Sequence, residues 1–282
     1  MAWILSSRLD ACPAGAIEAG TLIQEIRAVD SVGAIEHLSI TVGNVRVELA
    51  DLVRVEHTDT EPETIRLIGD FSRWNALGFG LEHGRLVIEG HSGHRTAAEL
   101  AGGSVEVRGN SGAWAGAAAR RGRLVIHGDA GDWLGANWPG EIRGMTGCEI
   151  LVHGRAGDHV GVRMRRGLVA VGGEVGAGLG RAMIAGSIFV GGNARSNVGI
   201  GMKRGTIVLK ASAENQLALA VTGFGLADAF RPLTLDMQLR YARDAGWHEA
   251  DSLLGARTTR RHLGDTLSLG LGEVFLLSSS NA

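Results

Sequence analysis

His127 and His153 hold the same position in two neighbouring copies of a repeated sequence unit, and His91 and His94 lie near a corner of an earlier copy. Imidazoles brought to about 5 Å of one another by stacked strands could ligate zinc. The plainer reading is that they face outward into solvent. Basic residues are placed with more order. Arg120–Arg121, Arg165–Arg166 and Lys203–Arg204 end alternate copies, whereas the copies between them end in Ala101–Gly102, Gly147 and Ala185. Pairs on every second level would form a ladder with about 10 Å between rungs. The skipped level eases repulsion between like charges, and guanidinium forks suit carboxylates. The spacing therefore predicts contact with a run of carboxylates, against the simpler alternative of a solvated face. Trp114 and Trp133 also recur one copy apart, with Trp138 close behind, placed for an interface or for corner packing.

Other chemistries find no support. Cys12 and Cys148 follow no metal-ligand spacing, and Cys148 fills a unit-start position held elsewhere by Gly, which marks it as structural. No GxSxG, P-loop or HExxH string occurs, and the GxGxxG-like strings are products of the repeat. The net charge of −2 provides no global basic field for nucleic acid. The amino terminus lacks the apolar core of a signal peptide, and no window reaches the ~18 apolar residues of a membrane span. With two distant cysteines, a reduced cytoplasmic protein is the expectation.

The elements that must position these residues follow from the glycines. Thirty of the 44 lie between residues 84 and 205. In register, that segment reads Gly84-RLVIE-Gly90, Gly103-SVEVR-Gly109, Gly122-RLVIH-Gly128, Cys148-EILVH-Gly154, Gly167-LVAVG-Gly173, Gly186-SIFVG-Gly192 and Gly205-TIVLK. Five of the six steps are 19 residues, and the third unit has 26, its excess lying in the Trp138-PGEIRGM stretch. A degenerate earlier copy starts at Glu63. The third and fifth positions are aliphatic throughout, a period-two pattern that predicts strands with one buried face. A fixed period near 20 predicts stacked units, here an all-β parallel β-helix of about seven coils. Its corners need glycine where φ is positive or a neighbour is close, Gly135 among them. Three regions follow: an amino-terminal β-rich cap (1–62) with a turn at Gly43-Asn44, the repeat (63–210), and a partly helical carboxy-terminal capping segment (211–282).

These units resemble the GXGXG repeats of the formylmethanofuran dehydrogenase C-subunit family, also found in the carboxy-terminal domain of the large glutamate synthase polypeptide. The matching pieces are VGNVRVELADL (42–52), IGDFSRWNALGFGLEHGRLVIEG (68–90), GNSGAWAGAAARRGRLVIHGDAGDWLGA (109–136), PGEIRGMTGCEILVHGRAGDHVG (139–161) and MIAGSIFVGGNARSNVGIGMKRGTIVL (183–209). TRRHLGDTLSLGLGEVFL (259–276) is similar to the family's closing motif. Within the family the chain is most similar to the C-subunit of bacterial formyltransferase/hydrolase complexes. The resemblance implies a right-handed β-helix, a handedness that the period of 19 does not set. It implies a non-catalytic scaffold beside a formyltransferase subunit and a hydrolase-like (amidohydrolase) subunit. Such complexes pass formyl groups from tetrahydromethanopterin through a methanofuran-type coenzyme to formate, with coenzyme and metal held by the partners. The coenzyme's polyglutamate chain, or an acidic partner surface, would then face the ladder of Arg120, Arg121, Arg165, Arg166, Lys203 and Arg204. Two alternatives stay open: a metal-dependent enzyme using the histidines, and a glutamate-synthase-like structural domain outside one-carbon metabolism.

Overall fold

The computed structural model describes residues 2–8, 15–220, 222–256 and 258–278. The amino-terminal region supplies β1 (Ala2–Ser7), β2 (Ile17–Glu18), α1 (Leu22–Arg27), α2 (Val32–Glu36), β3 (Ser39–Val42), β4 (Val45–Glu48) and β5 (Val53–Thr58). The repeat region supplies β6 (Thr64–Ile68), β7 (Trp74–Asn75), β8 (Arg85–Glu89), β9 (Ser104–Val107), β10 (Arg123–Ile126), β11 (Glu149–Val152), β12 (Leu168–Val171), β13 (Ser187–Val190) and β14 (Arg204–Lys210). Then come α3 (Ala213–Ala220), β15 (Gly225–Ala227), α4 (Leu233–Asp244), α5 (Ala250–Leu254), β16 (Thr258–Gly264) and β17 (Leu271–Ser278).

The expected all-β, right-handed parallel β-helix is corrected by this architecture. The strands form one mixed sheet of 13, ordered β15-β16-β17-β14-β13-β12-β11-β10-β9-β8-β6-β1-β5, and a second sheet of four, β4-β3-β2-β7. The large sheet is mixed because β1–β5 at one end, and β15–β16 and β16–β17 at the other, pair antiparallel. The repeat periodicity governs only the central strands. The flanking segments obey their own connections, and they also contribute α1 to α5.

Between those ends the 19-residue spacing fixes the pairing. Leu86, Val105, Leu124, Ile150, Val169, Ile188 and Ile207 sit opposite one another in one parallel register. All seven are fully buried in the main core. A second line of single parallel bridges joins Phe71, Ser92, Ser111, Ala130, Ala156, Val175 and Ala194 in turn. Gly135 illustrates why glycine recurs at the corners. Its φ is +63°, and a Cβ there would lie 3.3 Å from Ile150 Cδ1 and 3.5 Å from Val169 Cγ2.

One buried face per strand was the expectation, and β11 to β14 depart from it. Their outward positions are Leu151, Ala170, Phe189 and Val208, and all are buried. They meet Leu235, Leu239 and Ala242 of α4, together with Trp247, Ala250 and Leu253, in a second core. The i, i+4, i+7 spacing of the three α4 residues puts them on one helical face. Pro232 precedes the helix, and Asp236 and Arg243 lie in its first and last turns, where the helix dipole favours them. Among the described residues no helix is long and apolar enough to cross a membrane.

Candidate functional site

The six residues of the basic ladder lie where each repeat turns back into its strand. The backbone N–H groups of Arg120 and Arg121 donate to Leu100 O, those of Arg165 and Arg166 to Met145 O, and that of Lys203 to Met183 O. Ala185 donates to Met164 O in the same manner, so the intervening level presents no cation. Arg165 is half-buried, and Arg120, Arg121, Arg166, Lys203 and Arg204 are exposed. Among the described residues none of these six side chains has a hydrogen bond or ion pair. Several other arginines are paired: Arg85 with Glu106 at 2.6 Å, Arg123 with Glu149 at 2.9 Å, and, ahead of α4, Arg231 with Asp236 at 2.6 Å.

The histidines prove to be tied into the framework. His91 Nδ1 accepts the Asn110 N–H and His94 Nδ1 accepts the Ala113 N–H, each at 3.0 Å. Asn110, Asp129, Asp132 and Asp158 use a side-chain oxygen in the same way for the N–H of a residue on the following level. His127 and His153 are half-buried and stack with ring centroids 5.2 Å apart and planes at 20°. His127 Nε2 donates to Glu106 Oε1 at 3.0 Å, and His153 Nδ1 lies 3.4 Å from Glu249 Oε1. Near-parallel imidazoles point their ring nitrogens along parallel planes, which do not converge on one ion. Among the described residues no three His, Cys, Asp or Glu side chains cluster as metal ligands.

These contacts form a charged seam beneath the carboxy-terminal helices, around a groove of about 650 Å³. Burial alone would raise the Glu106 pKa, but hydrogen bonds from Arg85 and His127 and the Arg108 charge hold it below the usual carboxylate value. Glu249 is likewise depressed, its burial outweighed by His153 and a backbone donor. Cys148 is buried, and burial together with the Glu149 charge pushes its thiol up to about 12. Such a thiol is no nucleophile near neutral pH. Cys12 lies outside the described residues.

The aromatic residues form the most organised surface feature, one the sequence indicated only in part. Trp138 stacks on Trp114 (5.3 Å, 19°), Trp114 on Trp133 (4.9 Å, 3°), and Trp133 on His159 (4.2 Å, 34°). Trp114, Trp133 and His159 occupy one repeat position, each with a left-handed backbone at φ 63–66°. That conformation is uncommon for bulky side chains. It turns the N–H of each toward the next level, where Asp132 O, Asp158 O and Ala177 O accept at 2.7–2.8 Å. Trp138 comes from the insert in the third unit, and its Nε1 donates to Glu99 at 3.0 Å. The insert thus folds back and extends the column by one ring. The repeat spacing alone makes Trp114 and Trp133 neighbours; His159 lies at the same repeat position, 26 residues beyond Trp133 across the insert.

No family model matches this chain, and no curated protein does. Among solved structures, it is similar to a chain of the crystal structure of the formyltransferase/hydrolase complex (FhcABCD) from Methylorubrum extorquens in complex with methylofuran. The TM-score is 0.85 at 28% identity, over 97% of this chain and 98% of the other.

Proposed function

We propose that this chain is the C-subunit of a formyltransferase/hydrolase complex, acting as a non-catalytic structural and docking component. The whole-length likeness to a chain of such a complex carries the reading. The site chemistry agrees with it. The buried thiol is held protonated, the stacked histidines are committed to carboxylates, and the histidines of the repeat corners accept backbone N–H groups. The groups available for outside contact include the basic ladder and the column of aromatic rings.

In this reading a formyltransferase subunit and an amidohydrolase-like subunit hold the two reaction centres. Formyl groups pass from tetrahydromethanopterin, through a methanofuran-type coenzyme, to formate. Coenzyme and metal belong to those partners, and the ladder from Arg120 to Arg204 receives carboxylates from a partner surface or from the coenzyme's glutamate chain. Co-expression of this chain with those two subunits, followed by affinity purification through this chain, tests the assignment. All three should elute in fixed ratio, and Arg165→Ala/Arg166→Ala should lower the yield of partner or the affinity for coenzyme. Elution of this chain alone would reject the subunit reading. Unchanged assembly and coenzyme affinity in the double variant would remove the ladder from it.

A further inference from the structure

The insert of the third unit closes a groove of about 450 Å³ against the aromatic column. Trp114, Trp133, Asn137, Glu141, Arg163 and Arg181 contribute to its lining. Asn137 is only 8% exposed. Both of its amide protons are committed, one to Trp138 O and one to Glu141 O, each at 2.8 Å, so the amide orientation is fixed. Its Oδ1 is then an acceptor, and it is buried with no hydrogen-bond partner among the described residues. Buried acceptors are normally satisfied, and this one is sealed from solvent, so a donor from the groove reaches it only when the insert shifts.

The cations of the groove are unequal. Arg163 is anchored, its Nη1 donating to Glu141 O at 3.3 Å. Arg181 is exposed and has no ion pair or side-chain hydrogen bond among the described residues, although the Arg163 N–H donates to its carbonyl at 3.0 Å. Glu141 is the one acidic residue lining the groove, and its main-chain carbonyl, not its carboxylate, is what Asn137 and Arg163 engage. Two residues beyond Arg163 the basic ladder continues with Arg165 and Arg166, and Arg143 is exposed in the insert.

We infer that this groove binds an extended acidic segment of a partner polypeptide. A carboxylate of that segment meets Arg181, an apolar side chain lies against Trp114 and Trp133, and a main-chain N–H reaches Asn137 Oδ1 as the insert shifts. Arginine forks select carboxylates, and the stacked indoles supply rigid apolar area at little entropic cost. The segment's further carboxylates run onto Arg165 and Arg166. The inference rests on the docking role proposed above only in taking the segment to come from another polypeptide of the same complex.

A synthetic N-acetylated octapeptide of alternating Glu and Leu, titrated into the purified chain and followed by tryptophan fluorescence, tests it directly. Saturable binding that weakens with added salt is expected, with the Gln-for-Glu peptide bound far more weakly. Arg181→Glu should weaken it about tenfold or more, Arg181→Lys should recover part of the loss, and Arg54→Glu on the distant β5 should leave it unchanged. Absence of saturable binding, or equal affinity in Arg181→Glu, would overturn the groove assignment. Binding of the peptide without copurification of any partner would leave the groove in place and remove the subunit reading. Copurification without peptide binding would do the reverse.

Discussion

Gly135 sits in the left-handed region with two aliphatic side chains within van der Waals reach of where a Cβ would stand. Valine there would carry backbone strain of about 1–3 kcal/mol, and its branched side chain would overpack the core by a similar amount. Gly135→Val should therefore lose about 2–6 kcal/mol, read as a lower thermal unfolding midpoint. An unchanged midpoint would contradict the corner geometry. Trp114, Trp133 and His159 adopt the same backbone conformation with large side chains. They tolerate it because their rings leave the core and stack, at about 0.5–1.5 kcal/mol for each aromatic pair, while their N–H groups are all satisfied. The histidines show the limit of reading chemistry from residue type. Spacing correctly put His127 beside His153, but only the folded arrangement shows their ring nitrogens directed to Glu106 and Glu249. His91 and His94 stand in line with Asn and Asp residues that accept backbone N–H groups, a role that composition alone does not separate from metal binding.

At the scale of elements, the repeat strands were legible because a period-two aliphatic pattern recurs every 19 residues, and each resulting pair lies at the register that spacing requires. What was not legible is what covers them. The outward row runs Val87, Glu106, Val125, Leu151, Ala170, Phe189 and Val208, apolar without a break from Val125 onward. That shift is the signal of a second buried face, and it identifies where α4 and α5 must lie. The antiparallel pairing at the ends is not legible for a related reason: those strands carry no repeat, and only β16 and β17 are joined by a short connection, while β1–β5 and β15–β16 pair across long stretches that contain helices. The insert was visible as an excess of residues, but its return to stack Trp138 on Trp114 depends on a contact with Glu99, 39 residues away. The helical cover is anchored by Trp247, fully buried beside Phe189 with ring centroids 6.3 Å apart. Trp247→Ala should cost about 3–5 kcal/mol in urea denaturation, the usual range for emptying a large aromatic site. It should also loosen the cover selectively. Hydrogen exchange should rise in α4 and α5 and stay slow in β8 to β10, whose inner face belongs to the other core. A uniform rise in exchange would show instead that cover and sheet unfold as one unit.

At the scale of the whole molecule, a net charge of −2 hides an uneven distribution. The ladder and the groove hold cations without partners among the described residues, as Arg155 and Arg195 do elsewhere, whereas the outer face of the sheet carries paired charges, two of which reach the helical cover. Arg123 and Tyr241 both donate to Glu149, Glu106 collects Arg85, Arg108 and His127, and Glu249 reaches His153 from the start of α5. Glu106 and Glu249 both have folded-state pKa values below their ordinary ones. Each therefore binds its proton more readily in the unfolded chain. Their ionised forms stabilise the fold at pH values above the ordinary glutamate value of about 4.3, and that contribution drains away as pH falls through the depressed folded values. Stability measured in urea should accordingly decline on acidification below about pH 5. Glu106→Gln removes one of the two contributions without emptying the site. The variant should be less stable than the parent at neutral pH, and the two curves should converge in acid, where Glu106 of the parent is protonated as well. Parallel curves, with a gap that persists at low pH, would mean that Glu106 acts through packing or hydrogen bonding rather than through its charge.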